Sequence, residues 1–303
     1  MMQIDTTTGQ DLRGIGWMLL TGLCFVAVNG IVRGLDGALP ASQAAFIRFL
    51  FGLAFLLPVL APALKQGLPA DVWRLFLLRG ALHVAAVIGW FYAMSRITVA
   101  EVTAIGFLNP IMVTIGAALI FGEKLALRRI LAIGVALIGA LVVLRPGLRE
   151  MDPGHLSQVG ASVCFGISYL IAKQLAERVP ATVVVAMMSL TVSVGLAPLA
   201  WMDWVPPTLA QVGWLGLVAV FATAGHYAMT RAFAAAPLTV TQPVTFLQLV
   251  WASLLGVLVF AEPVDAWVLL GGGIMIGAIS YITWREARMR AKTLTPPVNA
   301  TKA

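Results

Sequence analysis

Leu23-Cys24-Phe25 returns about 140 residues later as Val163-Cys164-Phe165, and Phe121-Gly122-Glu123 returns as Phe260-Ala261-Glu262. Between these marks, each half of the chain holds five strongly apolar segments. A duplicated unit with an odd number of membrane spans must insert its two copies in opposite orientations. Such an inverted repeat is typical of secondary transporters, whose substrate site lies between the repeats near the bilayer midplane.

Composition places the chain in a lipid bilayer. Its 303 residues are 60% hydrophobic and 11% charged, with a mean hydropathy of +0.94, whereas soluble domains carry about 25% charged residues. The net charge of +7 is scattered over short loops and the end of the chain, which argues against a nucleic-acid partner. Cys24 and Cys164 lie within apolar segments and are predicted to be small buried hydrophobes. No cofactor or metal site is predicted.

Membrane spans can be counted directly, because each needs about 20 apolar residues. Ten runs qualify: 14–33, 41–60, 73–95, 98–120, 127–144, 156–176, 181–201, 209–231, 238–260 and 266–284. They predict an all-α integral membrane protein with ten transmembrane helices in two inverted repeats. The first five-helix repeat covers 14–144 and the second covers 156–284. Residues 285–303 are predicted to form a basic, disordered cytoplasmic tail.

The distribution of Lys and Arg predicts the orientation, since these residues accumulate in cytoplasmic loops. With the N-terminus inside, the outer side carries few of them: Arg33, Arg96, Arg145 and Arg149. Both termini are therefore predicted to be cytoplasmic, in a multi-pass protein of a bacterial inner membrane.

Several short motifs, in this order and spacing, resemble those of a known transporter group. They are Ala100–Ala104, Leu108-Asn109-Pro110, the stretch 246–251 (Phe-Leu-Gln-Leu-Val-Trp) and the two Glu-containing motifs above. Together with the duplication, they resemble the EamA-type proteins of the drug/metabolite transporter superfamily. Within it, the chain is similar to YddG-type bacterial exporters of aromatic and other amino acids. The resemblance implies alternating access, a small-molecule substrate and a monomer in the bilayer.

Polar groups inside a span are costly and are functional hypotheses by default. His83 lies about ten residues into the third span and shares a helical face with Trp90. Arg79 on the same face is expected to snorkel towards the cytoplasmic surface. Arg48 lies seven residues into the second span and either attracts an anion or bonds a backbone carbonyl.

The repeat gives a second criterion, because equivalent positions should face a site on the pseudo-twofold axis from both halves. It pairs Asn109 with Gln248 and Asn29 with Tyr169, and Trp251 lies beside Gln248. Each of these side chains could instead tie helices together. The predicted substrate-binding residues are His83, Gln248, Trp90, Asn109, Tyr169, Asn29, Trp251 and Arg48.

Two further groups have predicted roles. Pro110, Pro237 and Pro243 are expected to break the fourth and ninth spans and leave carbonyls that line a cavity. Glu123 and Glu262 are expected to be salt-bridged caps at span ends, and Glu101 could border the cavity.

Rival functions lack sequence support. No nucleophile motif, metal-ligand cluster or Walker-type loop is present, and there are only three His, so an enzyme is not expected. Export of amino acids, including aromatic ones, is the leading hypothesis. The alternatives are a carrier of other small metabolites or drugs, or a non-transport membrane sensor or assembly protein.

Overall fold

The computed structural model describes residues 4–35, 37–109, 111–112, 115–116, 127–148, 150–236, 241, 244–245 and 247–294. These ranges contain ten helices: α1 (Ile4–Gly34), α2 (Ala41–Gln66), α3 (Ala70–Met94), α4 (Val99–Gly106), α5 (Leu127–Leu144), α6 (Pro153–Ala176), α7 (Ala181–Met202), α8 (Leu209–Ala235), α9 (Leu247–Phe260) and α10 (Ala266–Leu294). Six of them, α1–α3 and α6–α8, are long and apolar enough to cross a membrane. The structure confirms the predicted all-α membrane protein.

Counterpart helices of the two repeats lie side by side in opposite directions. Near the start of α2, Gln43 exchanges two hydrogen bonds with Val205, just beyond the end of α7 (Nε2 to O, 2.6 Å; N to Oε1, 2.9 Å). At the start of α4, the Val99 amide donates to Glu262, just beyond the end of α9, over 3.1 Å. This antiparallel pairing is what a twofold axis in the membrane plane produces, so the repeats are inverted.

The remaining contacts repeat the same symmetry. On α1, Thr21 Oγ1 donates to the Gly225 carbonyl of α8 over 3.4 Å, and on α6, Ser157 Oγ donates to the Gly89 carbonyl of α3 over 3.0 Å. The pair α1–α8 thus corresponds to the pair α6–α3. We call the end of the bundle where α1 begins the proximal end, and the end where α1 finishes the distal end.

The fourth span is interrupted, because α4 ends at Gly106 and Phe107 forms a turn. A proline at position 110 has no N–H for the Gly106 carbonyl, and its ring excludes that carbonyl. Side chains of α6 bond the last turns of α4: Ser162 Oγ donates to Ile105 O (3.2 Å), and Gln158 Nε2 donates to Val102 O (3.0 Å). Helix α9 covers the later part of the ninth predicted span, 238–260. Pro110, Pro237, Pro243 and Glu123 lie outside the described residues.

Two segment ends differ from the predictions. Helix α10 continues to Leu294, so the first part of the segment predicted to be disordered from residue 285 is helical. Residues 285–294 are rich in Arg, Ala, Glu and Met, which have high helix propensity and extend the helix beyond the apolar stretch. Helix α1 likewise begins at Ile4, ahead of the predicted span.

Candidate substrate-binding site

A cavity of about 210 Å³ lies between the two repeats. A cavity needs about 10–15 Å³ to admit a single water, so this one is many times larger than that minimum and has room for a small metabolite. Helices α1–α4 of the first repeat and α6, α8 and α9 of the second contribute to its wall. The aromatic residues of the lining are Phe25, Trp90, Phe91, Phe107, Phe165, Tyr169 and Phe233.

Seven of the eight predicted site residues line this cavity: Asn29, Arg48, His83, Trp90, Asn109, Tyr169 and Gln248. Trp251 does not, because its ring packs against Gly22 of α1, 3.3 Å from where a Cβ would stand. Three residues along a helix correspond to a rotation of about 60° from Gln248, which turns Trp251 away from the cavity. The sequence predicted that Trp251 lies well within a span, but it did not predict that its side chain points away from the cavity.

Arg48 supplies a buried positive charge to the cavity. Its side chain is 8% exposed, and its guanidinium carbon lies 3.8 Å from the centroid of the Phe49 ring. Within the described ranges the contact with Phe49 is the one recorded for the Arg48 guanidinium, so its N–H groups are available to a ligand. The cation–π contact with Phe49 fixes the guanidinium without using those donors.

Two histidines occupy closely matching surroundings in the two repeats. His83 of α3 meets the edge of Phe165 with ring centroids 5.1 Å apart at 72°, and His226 of α8 meets Phe25 at 5.1 Å and 71°. Phe25 and Phe165 are the phenylalanines of the repeated motif with which the two halves were aligned. The two imidazoles lie 5.5 Å apart, centroid to centroid.

His226 shows where sequence comparison fell short. Laying the halves over each other pairs His83 with Thr223, which suggested that only the first repeat carries a deep basic group. The structure brings His226, three residues further along α8, to the matching position in the cavity lining. The ring contacts with Phe25 and Phe165 carry this correspondence, and residue spacing alone does not reveal it.

Amide side chains add acceptors of hydrogen bonds. Asn29 Nδ2 donates to Thr103 Oγ1 over 3.4 Å, which ties α1 to α4 at the wall of the cavity. The side-chain oxygens of Asn109 and Gln158 are buried without a hydrogen-bond partner among the described residues. A buried acceptor without a partner is costly, so these two oxygens are suited to a donor supplied by a ligand.

Two other cationic side chains near the cavity lie where the sequence did not predict them. Arg79 does not snorkel: it is 1% exposed, and its Nη1 donates to the Val184 carbonyl of α7 over 3.1 Å. Lys173, which the sequence analysis missed, lines the cavity towards its proximal side. Its position could have been noticed, since it is the counterpart of Arg33 in the repeat. No Asp or Glu occurs among the described lining residues.

Four side-chain contacts at the distal end join the two repeats, and we call them the distal latch. They are Arg33–Glu262 (2.9 Å), Arg96–Asp152 (2.9 Å), His155–Glu101 (3.2 Å) and Arg145–Asp265. The hydrogen bond from Arg96 holds the pKa of Asp152 below its usual range. Glu101 also completes a capping box with Thr98, and it does not line the cavity as considered from the sequence.

Glu262 is the centre of this latch. Ala261, at φ +52°, adopts a left-handed conformation that turns the chain back at the end of α9. Glu262 Oε2 then accepts from the Val99 amide, and Oε1 forms an ion contact with Arg33 Nε that lacks hydrogen-bond geometry. The prediction of a salt-bridged cap at Glu262 is confirmed.

An all-helical bundle of inverted repeats, with a cavity between them and ion pairs across one end, defines a membrane transporter for a small molecule. The model of the EamA-like transporter family matches the chain twice, over 12–145 and 152–284. The chain belongs to the EamA-like transporter family, so it is a multi-pass membrane transporter and not an enzyme.

Characterised relatives carry different metabolites. The chain is 29% identical over 287 residues to a riboflavin transporter of Vibrio cholerae, which covers 92% of this chain and 96% of that one. It is 26% identical to an S-adenosylmethionine uptake transporter of Rickettsia bellii (93% and 97% covered) and 26% identical to the pseudopaline exporter CntI of Pseudomonas aeruginosa (88% and 94%). A solved crystal structure has the same fold, with a TM-score of 0.62 at 19% identity over 93% of this chain and 99% of that one.

Proposed function

We propose that this transporter carries small ring-bearing metabolites with a carboxylate and an amine, the chemistry of an aromatic amino acid. We place it in a bacterial inner membrane, acting by alternating access as a monomer, with its proximal end and both termini in the cytoplasm. Arg48 carries the proposal: a buried guanidinium without a partner needs an anion, and it binds a carboxylate through two parallel hydrogen bonds.

The other lining groups support the rest of such a substrate. The partnerless oxygens of Asn109 and Gln158 can accept hydrogen bonds from an amine. Phe165 and Tyr169 stack with centroids 5.8 Å apart and form an aromatic face for a ring. Without a carboxylate in the described lining, a purely cationic substrate would lack a counter-ion.

A flat ring system without an amino-acid head group is the second candidate, because the same aromatic face would bind it. The riboflavin transporter of Vibrio cholerae, at 29% identity, is consistent with that candidate. The direction of transport is a separate question, since the relatives include both an uptake transporter and an exporter. Amino-acid export stays a prediction from the sequence.

Competition in proteoliposomes tests the proposal. We expect labelled phenylalanine to show saturable counterflow, inhibited by excess phenylalanine and at least tenfold less by phenethylamine, which lacks the carboxylate. Arg48→Gln should weaken phenylalanine binding about 10- to 100-fold, because hydrogen bonds to charged groups contribute about 1.5–3 kcal/mol. Arg231→Gln is the matched control, since Arg231 lies on Trp17 and Tyr227 outside the cavity lining.

Three results would count against this assignment. Equal inhibition by phenethylamine would show that the carboxylate is not recognised. Wild-type affinity in Arg48→Gln would remove Arg48 from the site. Strong inhibition by riboflavin, with none by phenylalanine, would favour the second candidate.

A further inference from the structure

The histidine pair faces the cavity from both repeats at once. His83 belongs to α3 and His226 to its counterpart α8, and the imidazole centroids are 5.5 Å apart with the rings inclined at 64°. Phe25, Phe49 and Phe165 surround the pair with ring centroids 5.1–5.9 Å from an imidazole. The aromatic rings exclude competing hydrogen-bond partners, so the imidazoles are left to each other, to Ser168 and to the cavity.

The hydrogen bonds around the pair form an incomplete chain. His83 Nδ1 lies 3.1 Å from Ser168 Oγ on α6, whereas His83 Nε2 and His226 Nδ1 are buried and have no hydrogen-bond partner in the part of the chain that the structure describes. When the serine hydroxyl donates to Nδ1, the hydrogen of a neutral imidazole resides on Nε2. His83 Nε2–H can then donate to His226 Nδ1 when a movement of the repeats brings these two nitrogens together.

We propose that Ser168, His83 and His226 form a proton relay that couples the movement of substrate to the movement of a proton. This inference rests on the proposed function, because it assigns a driving force to the same cavity. The pair takes up one proton on a free ring nitrogen, carries it as one added positive charge while substrate is bound, and releases it from a ring nitrogen on the other side of the membrane. Histidine suits this step because its ring accepts and donates a proton near neutral pH.

The charges that face the pair determine the direction of coupling. They come from Arg48 on α2 and Arg79 on α3, and the other titratable groups nearby are Tyr169 on α6 and Cys24 on α1. A proton on either imidazole would stand among the two cations, and a carboxylate entering the cavity supplies the opposite charge. Proton and substrate therefore bind together, which makes the transporter a symporter.

The position of the pair between the repeats connects it to alternating access. His83 and His226 belong to different halves, so a rocking motion of one repeat against the other changes the distance between the rings. Under an inward proton gradient, symport drives uptake, which is the opposite of the export that the sequence resemblance implied.

Two measurements on labelled phenylalanine in proteoliposomes separate this inference from the proposed function. The first is counterflow at equal pH on both sides. The second is accumulation with an acidic exterior, with the membrane potential clamped by potassium and valinomycin. Coupling to one proton gives about tenfold accumulation for one pH unit, since that gradient amounts to 1.36 kcal/mol.

His226→Gln should lose accumulation driven by the pH gradient when that accumulation is measured relative to the variant's own counterflow. Ser168→Ala, which removes the hydroxyl outside the cavity lining, should lower that accumulation at least threefold. His155→Gln is the matched control: it replaces the remaining histidine, at the distal end, and should keep the wild-type ratio of accumulation to counterflow.

Each outcome decides one question. Counterflow without pH-driven accumulation in the wild type would overturn the relay and leave the proposed function standing. Undiminished accumulation in both His226→Gln and Ser168→Ala would also overturn it. No counterflow in the wild type would refute the proposed function and, with it, this inference.

Discussion

Glu262 is the most informative residue to perturb in the distal latch, because its one carboxylate joins α1 and α4 to the end of α9. In Glu262→Gln, the amide oxygen can still accept from the Val99 N–H, so the change removes mainly the ion contact with Arg33. Breaking a buried ion pair costs about 3–5 kcal/mol, and an exposed pair contributes about 0.2–1 kcal/mol. Glu262 is 8% and Arg33 21% exposed at the side chain, which places this pair between the two limits.

The state with the distal end closed should therefore lose about 2 kcal/mol relative to the state with it open. This shifts the equilibrium between the two states about 30-fold towards opening. Alkylation of a cysteine behind the latch measures that shift. Thr103 lines the cavity on its distal side, so Thr103→Cys places the reporter thiol there. Cys24→Ala and Cys164→Ala remove both native thiols from this protein. A membrane-impermeant maleimide is added from the side that carries the distal ends.

We expect labelling of the Glu262→Gln protein to rise at least tenfold over the parent. Asp71→Asn is the matched control, because the Asp71–Arg178 pair also joins the repeats but lies exposed at the proximal end. It should change labelling less than about twofold. Unchanged labelling in a correctly inserted Glu262→Gln protein, or an equal rise in Asp71→Asn, would refute the view that this latch holds the distal end closed.

Two backbone positions give further predictions, both measured as thermal unfolding in detergent. Gly271→Val should destabilise the protein by about 1–3 kcal/mol through overpacking, because a Cβ there would stand 2.5 Å from Gly139 O. Gly273→Ala has open space and should not destabilise it, since Ala has the higher helix propensity. Equal stability of the two variants would contradict the close packing of α5 on α10. Ala261→Gly should stabilise by about 1 kcal/mol, since left-handed backbone costs an L-residue roughly that much, and Ala252→Gly in the interior of α9 should destabilise. A destabilised Ala261→Gly protein would show that the turn carries no such strain.

Hydrophobic length and repetition were sufficient to predict the scaffold. Helices α2, α3, α7 and α8 each contain nearly the whole of a predicted span, because about 20 apolar residues suffice to cross the bilayer. The sequence predicted that the fourth span is interrupted, but not that α4 ends at Gly106. Pro110 indicated a break in the fourth span, but the position of the turn depends on Ser162 and Gln158 of α6, which bond the end of α4 from the other repeat.

The sequence predicted how deep the candidate site residues lie along their helices, but it did not predict which way each side chain points. His83 and Arg48 were found because ionisable groups in apolar runs are rare, and their distance along a helix gives their depth. Arg79 has the same sequence signal, yet it points to the Val184 carbonyl, because α7 packs against α3 there. Lys173 was missed since it lies near a span end, where a lysine usually indicates only the membrane surface. Which helices meet, and how each is rotated, depends on long-range packing.

The antiparallel pairing of counterpart helices has a consequence for the resting population of the transporter. Two identical halves in opposite orientations would make the state open at the proximal end and the state open at the distal end equal in free energy. Any difference between these two states therefore comes from substitutions that arose after the duplication. Arg33 and Lys173 occupy equivalent places, yet only Arg33 has an ion pair within the described part of the chain. The free-energy gap between the two access states is therefore set by a few polar residues at the helix ends, and apparent substrate affinity should change with them even where the cavity is untouched.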